Sequence, residues 1–131
     1  VLKEDIHYKT LVKTPVSSSF LKETGTPVMV TTPDFNNILG DKLTAFAPTT
    51  TGIPYIKKDK EMGMEIIKQM YDVGCLFDEI DDISMVKDVF NAFAAIELKY
   101  RGNTHTISDV LDDTFYTALA ICFRIMHFSL Q

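Results

Sequence analysis

The sequence predicts an α+β domain in which a short antiparallel sheet from residues 5–57 packs against a three-helix C-terminal layer from 58–131. Three observations carry this expectation. The front half is punctuated by three Thr-Pro steps, Thr14-Pro15, Thr26-Pro27 and Thr32-Pro33, around β-branched runs. Beyond Lys57 the apolar period changes from about two to three or four residues, the spacing of amphipathic helices. Charge divides at the same place, with six basic and five acidic residues up to Lys57 against seven and thirteen after it. Strands followed by helices form segregated layers around one core.

Taken in order, "IHYKTLVK" alternates Ile6, Tyr8 and Thr10 against His7 and Lys9, as a half-buried strand does. "SSSFLKETG" suits a helical turn or a loop. "PVMVTT" is a β-branched run bounded by Pro27 and Pro33, which favour a sheet edge. "DKLTAFA" gives a further strand, and "PTTTGIPYI" a Gly-containing turn behind it. The stretches 31–41 and 47–54 are long enough to act as connecting arms that reach a neighbour.

From Asp59, an N-cap candidate with Glu61 in the first turn, a stripe runs through Met62, Ile66, Met70, Val73 and Phe77, with Gly74 as a possible stop. A second stripe passes through Ile83, Val86, Phe90 and Phe93, and "RGN" at 101–103 closes that helix. The third helix, from Ile107 to about Phe128, starts at Thr106 and Asp109, which stand at capping-box spacing. Phe115, Leu119 and Cys122 form its expected core stripe. Its last residues are apolar on nearly every side and need cover, either from the strand half or from another subunit.

Composition excludes several classes. At 131 residues the chain is long enough for one domain with a core, and 46% hydrophobic with 24% charged residues is an ordinary globular balance. A net charge of −5, with only Arg101 and Arg124 among 13 basic residues, speaks against nucleic-acid binding. No apolar run reaches the length of a membrane span. Cys75 and Cys122 have no ligand-pair spacing and are expected as packed, reduced thiols, which with the polar start "VLKEDIHYK" points to a mature cytosolic protein.

No catalytic pattern emerges. His7, His105 and His127 are scattered, and single glycines in "TTTGIPY" and "ETGTPV" do not make a phosphate-cradling loop. No metal or cofactor is expected, and the acids between Asp72 and Asp88 lack the Gly and Glu positions of a calcium loop. The candidate interaction residues are Asp78, Glu79, Asp81 and Asp82 in the acidic loop, where Asp81 and Asp82 also suit a helix cap. Near the C-terminus they are Arg124, Met126, Phe128 and Leu130. Arg124 has three readings: a snorkelling surface residue, a buried partner for an acid, or an intersubunit contact. Met64 and Met85 lie off their stripes and are contact candidates.

The sequence thus predicts a non-enzymatic structural or assembly subunit of a homo-oligomer or larger complex, a virion component being one concrete form, located in the cytoplasm or the virion. Its partners are proteins, chiefly copies of itself. The rival is a small adaptor that binds a protein through segment 78–88, and an enzyme comes third.

Overall fold

The structure, a computed structural model, describes residues 7–20, 22 and 24–123. It is an α+β arrangement of two short hairpins and four helices rather than three. Strands β1 (Leu11–Pro15) and β2 (Met29–Pro33) pair antiparallel, with Lys13 opposite Thr31 and Thr14 opposite Thr32. The Thr14 and Thr32 hydroxyls meet at 2.7 Å, a cross-strand polar pair. β1 is exposed along its whole length, so the hairpin stands out from the helices. Its position corrects the expected first strand: β1 starts at Leu11, Tyr8 to Thr10 precede it, and Ile6 lies outside the described residues.

The second correction is larger. Helix α1 (Phe35–Ala45) occupies a stretch expected to be loop and strand. Asp34 caps it, its carboxylate accepting from the Asn37 backbone N–H at 2.9 Å, and Pro33 holds the entering chain extended. This helix escapes notice because its buried positions include Asn36, Asn37, Gly40 and Thr44 beside Leu39, residues of poor helix propensity that are kept for their long-range partners. Asn36 accepts from the Asp81 and Asp82 backbone N–H groups and donates to the Asp81 carboxylate at 2.8 Å. Asn37 accepts from Lys9 N at 2.7 Å. Two asparagines therefore join three separate parts of the chain.

Gly40 lets α1 lie against α3 (Ile83–Tyr100), its most extensive partner. A Cβ there would fall 2.8 Å from the Val86 carbonyl oxygen and 2.8 Å from Val89 Cβ. Gly40→Ala is therefore expected to destabilise by about 1–3 kcal/mol, the range for overpacking. Urea unfolding checks this, and an unchanged midpoint would mean that the helices can part freely.

β3 (Ile56–Lys57) and β4 (Lys60–Glu61) form a small hairpin whose turn residues, Lys58 and Asp59, both have positive φ. Asp59 is thus a turn residue and not the expected cap. Helix α2 (Gly63–Phe77) starts after Met62 without a side-chain cap and runs through Gly74 to Phe77. Ile66 is its deeply buried side chain, while Phe77, expected on the core stripe, is exposed. α3 begins as expected at Asp82, whose carboxylate accepts from Ser84 N and Met85 N, and ends at Arg101 with Gly102 and Asn103 in the left-handed region. α4 (Ile107–Cys122) opens on the expected Thr106–Asp109 capping box.

The core lies where α1, α3 and the start of α4 meet: Ala47, Phe90, Ala94, Leu98 and Val110, with Leu43 and Ile107 packed against them. Phe93 sits at its edge and packs against Tyr8, the rings tilted by 41° with centroids 5.1 Å apart. Among the described residues no helix is long and apolar enough to cross a membrane.

Candidate functional site

Helix α4 carries the feature that asks for explanation. Its inward side consists of Val110, Asp113, Thr114 and Thr117, three of the four polar, all buried. Its outward side carries Leu111, Phe115, Leu119 and Cys122, all exposed, with Phe123 at the cap. Phe115 is 61% exposed and Phe123 67%. The helix buries three polar side chains beside Val110 and leaves a row of large apolar ones in solvent among the exposed Ser108, Asp109 and Asp112, a departure from the usual amphipathic arrangement. This corrects the expectation that Phe115, Leu119 and Cys122 are core, and that Cys75 and Cys122 are packed, since both thiols are exposed.

The inversion follows from what the polar side holds. Asp113 accepts from Thr49 N at 2.8 Å, Thr50 N at 2.9 Å and the Thr50 hydroxyl at 2.9 Å. Thr114 donates to the Leu43 carbonyl at 3.2 Å. The 47–52 turn is fixed further by Gly52 N to Ala47 O, by the Thr51 hydroxyl to Thr44 O, and by the Arg101 guanidinium donating to Thr51 O. This segment, expected as an arm, is pinned at both ends. Its backbone donors need a carboxylate, and α4 supplies one by facing its Asp/Thr side inward.

Among the described residues, clefts open on several sides of the helices. One of about 480 Å³ includes His105, Asp109, Asp112, Asp113 and Tyr116. Asp113 is taken by the turn, and Asp109 by the Thr106 backbone N–H and hydroxyl, which hold its carboxyl below the usual value. Among the described residues no three His, Cys, Asp or Glu side chains are placed to hold a metal ion. A second cleft of about 500 Å³, between Asp41, Lys57, Glu97 and Arg101, mixes charges of both signs.

A third, of about 220 Å³, adjoins Tyr8, whose hydroxyl donates to Asp41 at 2.8 Å. Burial, then the Asp41 hydrogen bond and charge, push the Tyr8 hydroxyl from 10.0 to about 12. Since the folded value is the higher, the stabilisation is complete below pH 10.0 and is lost as pH rises through about 12. Tyr8→Phe should flatten the fall in stability across that window in chemical unfolding, and an unaltered alkaline slope would contradict the Asp41 contact.

The fourth cleft is apolar, about 330 Å³, and lies between the starts of α3 and α4 against α1. Ile83, Val86, Phe90, Ile107 and Leu111 line it, with Lys87 and Ser108 at its rim. Leu111 belongs both to this groove and to the outward stripe, so the two form one apolar surface.

The residues singled out from sequence fall elsewhere. Asp82 caps α3 and Asp81 binds Asn36, so both have structural work, while Asp78 closes α2 and is exposed, as is Glu79. Met64 is exposed on α2, and Met85 is half-buried. Arg124, Met126, Phe128 and Leu130 lie outside the described residues. Sequence reasoning did place apolar residues on α4 in one row; the missing signal was which side of the helix is inside.

Comparison with known proteins adds no relative: no family model, curated protein or solved structure matches the chain.

Proposed function

We propose that this chain is a non-enzymatic assembly subunit, built to associate with protein through the apolar outer face of α4. The observation that supports the reading is the inversion of α4. Asp113, Thr114 and Thr117 are turned inward beside Val110, each with a partner, and two phenylalanines and two leucines are left outside on one stripe. A contiguous exposed apolar patch of this kind is often functional in folded proteins. Two of the carboxylates lining the first cleft support the same reading, since Asp109 serves the α4 cap and Asp113 the 49–50 turn. A component of a virion or another large assembly fits this description, as does a smaller homo-oligomer.

The adaptor reading keeps one observation in its favour: Asp78 and Glu79 are exposed side by side between α2 and α3. A basic partner would find them there, and Asp78→Asn with Glu79→Gln would weaken it without unfolding the chain.

Sizing with light scattering over about 1–100 μM, the range of modest protein affinities, tests the assembly reading. The expected result is a species larger than the 14.8 kDa chain that Phe115→Glu converts to a folded monomer. A wild-type protein that stays monomeric throughout would sink the proposal.

A further inference from the structure

We infer that the occupant of the α4 face is a second copy of this chain, paired antiparallel about a two-fold axis near Phe115, with Phe123 of each copy seated in the other's apolar groove. The inference rests on the reading of α4 as an association face and assigns it a partner and a geometry. The surface carries a hole at one end and a knob at the other. The groove beside Ile107 and Leu111 lies at the start of α4, and Phe123 stands exposed at its end. The 16 residues between rise about 24 Å. An antiparallel pairing centred on Phe115 sets Leu119 opposite Leu111 and Phe123 opposite Ile107. Both grooves are then filled by the same contact made twice, and the assembly closes without an open end.

A parallel pairing is poorer on every count. It stacks Phe123 on Phe123 and leaves both grooves empty. It also brings the two acidic first turns, with Asp109 and the nearby Asp112, side by side, and aligns two helix dipoles head to head. The area agrees with a pair of copies. At about 200 Å² per ring, Phe115 and Phe123 alone leave about 250 Å² uncovered. With Leu111, Leu119 and Ile83 the face reaches on the order of 500 Å², and two copies together reach about 1,000 Å², the least that a biological interface is expected to bury. The polar rim of Ser108 and Lys87 adds to that figure.

Thiol crosslinking of the full chain tests the register. In a Cys75→Ser background, Ser108→Cys puts a new thiol opposite Cys122 of the second copy, and a short bismaleimide should join the chains into a covalent dimer. Cys75→Ser alone should not crosslink, because the two Cys122 thiols would then stand about 21 Å apart along the helix pair. Phe123→Asp, at an exposed position, should leave the helical circular dichroism intact and raise the dimer dissociation constant by about 30-fold or more, the scale of a central aromatic contact. Efficient crosslinking by Cys75→Ser alone, or none by the double variant while sizing still shows a dimer, would overturn the antiparallel pairing and leave the assembly reading standing. A dimer indifferent to Phe123→Asp would overturn the groove seat. Wild-type protein that is monomeric at about 100 μM overturns both.

Discussion

Replacing Phe90 by Ala should lower the unfolding free energy by about 3–5 kcal/mol, the largest single loss expected in this chain. Phe90 is 4% exposed, touches the core formed with Ala94, Leu98 and Val110, and also lines the floor of the apolar groove. Truncation removes a ring that α1, α3 and α4 close upon, and the backbone of α3, held against α1 at Gly40, has little room to collapse into the gap. Phe93, half-buried at the core's edge, should lose less under the same substitution. Denaturant unfolding of the two variants ranks them. A loss at Phe90 below about 1 kcal/mol would place the core elsewhere.

Asp113→Ala is expected to cost about 3 kcal/mol, by a different route. Three donors converge on one carboxylate oxygen from the 49–50 turn, two of them backbone N–H groups that cannot turn away. Removing the acceptor leaves the Thr49 N–H without its partner and the Thr50 donors with only the longer contacts to the Ala47 carbonyl, and loosens α4 as well, because the same residue holds the helix to the turn. Asp113→Asn keeps one carbonyl oxygen and should recover part of the loss. If both substitutions unfold at the wild-type midpoint, water satisfies the turn and the anchor is not structural.

Much of the helical half is legible in the sequence because its signals are local. Asp82, Thr106 with Asp109, and the Arg101–Asn103 end act within a few residues of where they stand. "PVMVTT" likewise gives a strand, and the α+β class follows from the change of period. Helix α1 is hidden because its identity is settled at a distance. Asn36 answers to residues 81 and 82, Asn37 to Lys9, and Gly40 to the approach of α3, so three positions that argue against a helix locally are those that seat it.

The candidate surface was half legible for a related reason. Periodicity groups Phe115 with Leu119 on one side of a helix, but the assignment of inside and outside depends on the donors at Thr49 and Thr50, more than 60 positions away. Nothing near Asp113 announces them.

The hydrogen bonds on the inner side of α4 also fix its roll. An apolar helix resting on an apolar bed can rotate about its own axis by some degrees, exchanging one methyl contact for another at small cost. α4 has no such freedom, because Asp113 and Thr114 reach separate directional acceptors and donors on the 49–50 turn and at Leu43. Turning it by one residue, about 100°, would break both anchors at once. The outward stripe therefore points along a single azimuth in every molecule, and a surface that is already aimed gives up little orientational freedom when something settles on it.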